Sequence, residues 1–168
     1  PQGRSGHTAV LNDAGTKLFV FGGLAGTEYL ADAWELEIGT GVWTELAPGA
    51  GGGSVQAPPG RHLHASAWYA STVFVFGGAT GPAAYSNGVW ALSLSKGTWA
   101  QVSTQGAVPP PVTAPAHALV DNALYIFGGL SQELGLLPYM YVLNLDTNTW
   151  RREVAYGARP DGHFGATL

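Results

Sequence analysis

The sequence predicts an all-β protein built from repeated four-stranded antiparallel sheets, and two observations support this class. A short apolar run that ends in two glycines occurs three times, at residues 18–23, 73–78 and 124–129. β-Branched and aromatic residues favour a buried strand, and the glycines permit a sharp turn after it. The copies lie roughly fifty residues apart, a spacing typical of repeat proteins. The step from Trp34 to Trp43 recurs from Trp90 to Trp99 and from Tyr141 to Trp150.

The first repeat predicts four successive strands joined by turns, which form an antiparallel meander. A strand rich in small residues spans 4–11, and a turn at 12–17 leads into the glycine-ended strand. Residues 32–38 alternate apolar and polar side chains, as a half-exposed strand does, and a fourth strand follows at 42–46. The second repeat has its strands at 61–67, 73–78, 87–94 and 99–102. Those of the third begin near His117, Leu124, Tyr139 and Trp150.

A fourth repeat begins at residues 159–168. Gly/Pro-rich segments at 47–60, 103–115 and 155–162 separate the repeats. We interpret them as connections from the outer strand of one sheet to the inner strand of the next, because one four-stranded sheet cannot bury its two apolar faces alone. The chain is therefore predicted to be one domain over 1–168, with repeats at approximately 1–48, 58–104 and 113–155.

Composition excludes several classes of partner. Charged residues make up 11% of the chain, and the net charge is −4 with no run of Lys or Arg, so nucleic acid is not an expected partner. No apolar run approaches membrane-spanning length, so a membrane is not expected either. With no cysteine, the chain forms no disulfide or thiolate metal site. The compartment stays open, with the cytoplasm favoured.

These residues resemble the kelch-repeat family, whose pattern is Arg-x-x-His, a strand ending in Gly-Gly, an aromatic residue and a later tryptophan. The first copy has Arg4, His7, Gly22-Gly23, Trp34 and Trp43, and the second has Arg61, His64, Gly77-Gly78, Trp90 and Trp99. The third has His117, Gly128-Gly129, Tyr141 and Trp150, with Ala114 where the arginine would stand. The resemblance implies a kelch-type β-propeller: three four-stranded antiparallel blades plus the first strand of a fourth.

A complete propeller has about four to eight blades, which is more blades than this chain encodes. We expect either a fragment whose ring is completed by missing blades of the same protein, or a ring closed by another chain, and we favour the fragment. The small residues of each first strand suit the crowded axis of a propeller. The tryptophans are interpreted as packing between blades rather than as ligand platforms.

Alternation of strand direction predicts where function lies. The loops at 24–31, 79–86 and 130–138 and the three Gly/Pro-rich connections fall on one side of the blades, which we call the long-loop face. The opposite side has only short turns, such as 39–41 and 146–148. Loops on a rigid scaffold commonly carry function, so the long-loop face is the predicted site.

Polar and aromatic side chains of the long-loop face supply the candidate binding residues. Arg4, Arg61 and Arg159 could hold a carboxylate or phosphate in a bidentate fork. The alternative, which we weight more heavily, is that Arg4 and Arg61 are scaffold residues that donate hydrogen bonds to backbone carbonyls of neighbouring blades. Further candidates are Glu28, Asp32, Asn87 and Glu133, together with Tyr29, Tyr85 and Tyr139. These tyrosines recur at similar offsets, and each either anchors a partner or packs onto the blade edge.

The best hypothesis from the sequence is a protein-interaction module that binds a peptide or partner protein on the long-loop face. No pattern predicts a cofactor, a metal site or a catalytic residue. Glu28 and Asp32 match an iron motif of plant kelch-type specifier proteins, but Leu36 stands where its histidine should be. His62 and His64 have no further ligand nearby. The alternatives are a propeller enzyme acting on a small sugar-like substrate, as kelch-type mutarotases do, and a structural subunit of a larger assembly.

Overall fold

The computed structural model describes residues 1–47 and 57–154, and every regular element in these ranges is a β-strand. Three large sheets contain most of the strands. The all-β class predicted from the sequence is therefore confirmed. No helix in the described ranges has the length and apolarity needed to cross a membrane. The predicted start of a fourth repeat, at 159–168, lies outside the described residues.

Each large sheet contains a four-stranded antiparallel meander, in which strands that follow each other in sequence lie side by side. We call them the first, second and third blades. The strands of the first blade are Thr8–Leu11, Lys17–Phe21, Ala33–Glu37 and Val42–Ala47. Those of the second are Ala65–Tyr69, Thr72–Phe76, Val89–Ser93 and Thr98–Val102. Those of the third are Ala116–Val120, Ala123–Phe127, Met140–Asn144 and Thr149–Glu153.

The pairing of the first two strands defines equivalent positions in the three blades. Phe21 lies opposite Thr8, Phe76 opposite Ala65, and Phe127 opposite Ala116. Two glycines follow each phenylalanine, and all six have positive φ. The glycine-ended strand thus turns in the same way three times, as the repeated sequence predicts.

Aromatic contacts join neighbouring blades with one repeated geometry. The rings of Phe21 and Trp99 are 4.9 Å apart at 56°, and those of Phe76 and Trp150 have the same separation and angle. Both tryptophans are buried. They are therefore packing residues between blades, as predicted, and each joins its own blade to the preceding one. Trp43 holds the equivalent place in the first blade, where no preceding blade is among the described residues, and 37% of its surface is exposed.

The long loops are more regular than the sequence indicates, because each contains a short hairpin. The hairpin strands are Leu24–Ala25 with Glu28–Tyr29, Ala79–Gly81 with Ala84–Tyr85, and Leu130–Ser131 with Gly135–Leu136. The chain entering each blade pairs with that blade's hairpin: Ser5 with Leu24, His62 with Ala79, and Val112–Thr113 with Leu130–Ser131. The hairpins and the described ends of the incoming segments therefore share one face, while the predicted connection at 155–162 and most of that at 47–60 lie outside the described residues.

The third blade gains a fifth strand that the sequence does not predict. Gln105–Gly106, from the connection after the second blade, pairs in parallel with Thr149–Glu153. A side chain at Gly106 would collide with the carbonyl oxygen of Trp150. The absence of a Cβ at this position allows the connection to run along the outer edge of the third blade.

Candidate functional site

Arg4 and Asp32 form a closed ion pair beneath the first hairpin. Arg4 Nη1 lies 2.6 Å from Asp32 Oδ1, and Arg4 Nη2 lies 2.7 Å from Oδ2. Trp34 Nε1 donates to Oδ2 at 2.6 Å. Burial alone would raise the pKa of Asp32, but hydrogen bonds from Arg4 and Trp34 and the charge of Arg4 hold it below its usual value. The carboxylate and the guanidinium thus neutralise each other.

Arg61 makes the same backbone contacts as Arg4 but has no carboxylate partner equivalent to Asp32. Its Nε donates to Pro59 O at 3.2 Å and its Nη1 to Gly77 O at 2.8 Å, just as Arg4 donates to Gln2 O at 3.2 Å and Gly22 O at 2.9 Å. Ala33 pairs with Phe21, and Val89 pairs with the equivalent Phe76. The residues just before them are therefore equivalent too, and Gly88 takes the place of Asp32 in the second blade.

Arg61 is completely buried, and burial lowers its pKa to about 10, so it remains protonated at neutral pH. Among the described residues no carboxylate forms an ion pair with it. Arg4 and Arg61 thus bond backbone carbonyls, as the scaffold interpretation expects, but the carbonyls of Gly22 and Gly77 belong to their own blades rather than to neighbouring ones. Arg159 lies outside the described residues.

The alignment of the third repeat on His117 was wrong by two residues. Since Ala116 is equivalent to Thr8 and Ala65, the arginine position belongs to Val112 rather than to Ala114. Pro115 takes the place of His7 and His64. The backbone confirms this register, because Val112 O accepts from Gly78 N at 2.8 Å as Arg61 O accepts from Gly23 N at 2.8 Å. The third blade therefore keeps the backbone bridge and loses both motif side chains.

The tyrosine that the sequence predicts at a recurring position in the long loops occurs in two of the three blades. Tyr29 and Tyr85 are equivalent, because they pair with Leu24 and Ala79, but the third member of this set is Leu136, which pairs with Leu130. Tyr139 stands instead at the position of Asp32. Its ring packs edge to face with Tyr141 at 6.5 Å, and the guanidinium of Arg152 lies 5.0 Å from its centroid. Tyr139 thus packs within the third blade.

The remaining candidates differ in exposure. Glu28 and Glu133 are exposed on the first and third hairpins, and Tyr29 and Tyr85 are half-buried. Tyr29 packs edge to face with His62 at 5.3 Å. Asn87 is half-buried, and its side-chain amide donates to Pro109 O at 3.1 Å, so it fastens the connection between the second and third blades.

His64 makes an important contact that sequence reasoning missed. Its Nε2 lies 2.7 Å from Thr8 Oγ1, which makes a side-chain hydrogen bond between the second and first blades. Its Nδ1 is buried and has no partner among the described residues. Burial, and then the nearby positive charge of Arg61, holds the pKa of His64 well below its usual value. The Arg-x-x-His spacing placed His64 in the motif, but did not indicate that its ring crosses to another blade.

A metal centre does not form in the described part of the chain, where no three His, Asp or Glu residues are grouped to bind an ion. The long-loop face instead offers a repeated surface. Each hairpin presents one large side chain at the same register: Tyr29, Tyr85 and Leu136. Leu136 is 45% exposed, and Leu134 beside it is 62% exposed. Chemically, this arrangement suits contact with another molecule.

Two family models match the chain. The KLHDC2/KLHL20/DRC7 Kelch-repeats domain matches residues 53–168, and the Kelch motif matches residues 3–49. Together these matches cover nearly the whole chain and agree with the blades described above.

The curated proteins with similar sequences are much longer than this chain. Kelch domain-containing protein 10 of Rattus norvegicus is 33% identical over 138 residues, which are 79% of this chain and 33% of that protein. Host cell factor 2 of Homo sapiens is 31% identical over 89% of this chain and 22% of its own length. Tip elongation aberrant protein 1 of Schizosaccharomyces pombe is 32% identical over 64% of this chain and 10% of its own. The chain thus spans about a third or less of these relatives.

Proposed function

Because this chain belongs to the kelch-repeat family, we propose that it is a protein-interaction module that binds a peptide or a partner protein on its long-loop face. Its similarity to kelch-repeat proteins is consistent with a role in binding proteins in general. The observation that carries the proposal is the register of Tyr29, Tyr85 and Leu136, which places one large side chain on the hairpin of each blade. Tyrosine is enriched among residues that dominate interface energetics.

A rigid framework beneath the hairpins supports this role. Leu30, Ser86 and Leu137 each donate a backbone hydrogen bond to the second glycine of their own blade, at 2.9–3.0 Å. In the first two blades, that same glycine donates at 2.8 Å to the chain entering the next blade. The contact side chains therefore stand on backbone that is already fixed, which reduces the entropy lost on binding.

The candidate residues divide into two roles under this proposal. Arg4, Asp32, Arg61 and Asn87 hold the scaffold, because their polar groups are occupied by contacts within and between the blades. Glu28, Tyr29, Tyr85 and Glu133 would contact the partner, together with Leu136. Tyr139 would support the third hairpin from below.

Alanine substitution of all three register residues tests the proposal. Proximity labelling in cells would compare the unaltered chain, a Tyr29→Ala/Tyr85→Ala/Leu136→Ala variant and a control at equal abundance. The control alters one exposed residue per blade on the opposite side, as Ile38→Ala/Lys96→Ala/Asp121→Asn. We expect labelling of partner proteins to fall at least tenfold in the first variant, because truncation of hot-spot residues commonly weakens binding by at least that factor. The control should label its partners as the unaltered chain does. A folded first variant that retains every partner would overturn the proposal.

A further inference from the structure

The exposed charges of the three hairpins are all negative. Glu28 lies on the first hairpin and Glu133 in the turn of the third, and both are exposed. The second hairpin, at residues 79–86, contains no charged residue. The three hairpins therefore carry one carboxylate at each end of their row and none in the middle.

Of the described basic groups near these hairpins, Arg4, Arg61 and His62 are withdrawn from the surface, whereas Arg152 is exposed. The guanidinium of Arg4 is neutralised by Asp32, and Arg61 is completely buried. Burial lowers the pKa of His62, so its ring beside Tyr29 is neutral at neutral pH. Arg152 is positive, but it lies on the outer strand of the third blade, where its guanidinium faces the ring of Tyr139. Within the hairpins themselves, the exposed charges are the carboxylates of Glu28 and Glu133, which attract a basic group.

The middle of the row is small and apolar. The second hairpin turns through Gly81, Pro82, Ala83 and Ala84 before it reaches Tyr85. A ligand crossing this hairpin meets no bulky side chain other than the tyrosine. Beyond it lie the exposed side chains of Leu134 and Leu136 on the third hairpin.

We propose that the long-loop face binds a basic peptide segment with an apolar centre, whose Lys or Arg residues meet Glu28 at one end and Glu133 at the other. The apolar residues of the peptide would contact Tyr85 and Leu136. This inference rests on the proposed function and names the chemical class of its partner. Carboxylates at the rim of an apolar contact mainly select the partner and speed its encounter, so binding should weaken as salt is added.

Selection from a random peptide library tests the partner class without knowledge of the natural partner. The probe is a phage library of random peptides of about 16 residues, which span roughly 50 Å when extended. It is selected on the immobilised chain. We expect enrichment of sequences with Lys or Arg on both sides of an apolar stretch. Synthetic copies measured by fluorescence polarisation should bind at least tenfold more weakly in high salt than in low salt.

Reversal of the two charges supplies the direct test. In Glu28→Lys/Glu133→Lys, the selected basic peptides should bind at least tenfold more weakly, and peptides with Glu in place of their Lys and Arg should bind more tightly. Asp13→Lys/Asp121→Lys makes the same change in net charge on the opposite side, where both residues are exposed, and should leave binding unchanged.

The outcomes separate this inference from the function on which it rests. Enrichment of acidic or uncharged peptides, or binding that is indifferent to the reversal, overturns the partner class. The proposed function stands in that case if the peptides still require Tyr29, Tyr85 and Leu136. Peptides that bind the triple alanine variant as well as the unaltered chain overturn the proposed face. A library that yields no enriched peptide overturns the peptide inference, while the proposed function is decided by the labelling experiment with the triple alanine variant.

Discussion

His64 of the second blade and Thr8 of the first share a 2.7 Å hydrogen bond between Nε2 and Oγ1, and the His64 ring also packs edge to face with Phe21 of the first blade. The ring is buried, and the positive charge of Arg61 lies near it. Burial and the charge of Arg61 therefore favour the neutral imidazole at this contact, so acid should weaken it directly.

The pH dependence of folding follows from this preference. The pKa of His64 is well below 6.5 in the folded chain, whereas an unfolded histidine titrates near 6.5. The unfolded chain therefore binds more protons below about pH 6.5, and stability falls as the pH drops through that window. The cost for such a group rises toward about 1.4 kcal/mol per pH unit once the pH is well below 6.5. Urea unfolding at about pH 7.5 and about pH 5.5 measures the slope.

Two variants attribute this slope to His64. In His64→Gln the loss of stability on acidification should shrink, although some remains because burial also lowers the pKa of His62 and His117. His7→Gln, at an exposed position, should keep the full slope. Equal slopes in both variants would contradict the assignment.

The ion pair between Arg4 and Asp32 should matter more than the other pairs of the first blade. Asp32→Asn preserves shape but leaves the Arg4 guanidinium, whose side chain is only 4% exposed, without its counter-charge. We expect a loss of about 2 kcal/mol in the free energy of unfolding. Glu35→Gln is the matched control, because Glu35 pairs with the half-exposed Lys17 at 2.7 Å, and it should cost less than about 1 kcal/mol. Chemical denaturation checks both values, and equal losses would be evidence against a special role for Asp32.

The second blade should be stabilised by Gly88→Asp. Gly88 stands where the first blade has Asp32, and Arg61 makes the same backbone contacts as Arg4. A Cβ at Gly88 would lie 3.4 Å from Ser86 Oγ and Trp90 Nε1, which is ordinary contact distance. The new carboxylate would give the buried Arg61 a counter-charge, so we expect a gain of about 1–2 kcal/mol in the free energy of unfolding.

Gly88→Asn separates charge from shape in that experiment. It fills nearly the same volume without the negative charge and should give little of the gain. Thermal unfolding of the two variants side by side makes the comparison. If both variants are less stable than the unaltered chain, the surroundings of Gly88 do not accept a side chain.

The two tryptophans Trp99 and Trp43 should differ sharply although they hold equivalent positions. Trp99 is 5% exposed and packs on Phe21, whereas Trp43 is 37% exposed. Trp99→Ala should cost about 3–5 kcal/mol, as truncation of a buried aromatic residue does. Trp43→Ala in the same chain should cost about 1 kcal/mol. Urea unfolding measures both, and a large loss for Trp43→Ala would mean that its face is covered.

The blade strands could be predicted because their information is local and repeated. The apolar run before each Gly-Gly pair and the constant step between large aromatics fix the strand type and order without tertiary detail. The hairpins escaped prediction because two-residue strands in polar, glycine-containing segments carry little pattern. The strand Gln105–Gly106 escaped because its partner lies on the far edge of the next blade.

The candidate site was less predictable because its residues act through distant partners. His117 resembled the motif histidine in type and approximate place, yet strand register assigns that position to Pro115. Tyr139 matched the other tyrosines in offset, yet pairing assigns their position to Leu136. The burial of Arg61 and the contact between His64 and Thr8 depend on residues in neighbouring blades, which no single motif specifies.

The repeated contact between Phe and Trp has a consequence for how the chain opens. When each unit touches only its neighbours, stability becomes a sum of unit terms and junction terms along a line. The second blade is held at two junctions, while the described residues give the first blade only one. Amide hydrogens of Thr72–Phe76 should therefore exchange more slowly than those of Lys17–Phe21, so that protection from exchange maps the order in which the blades separate.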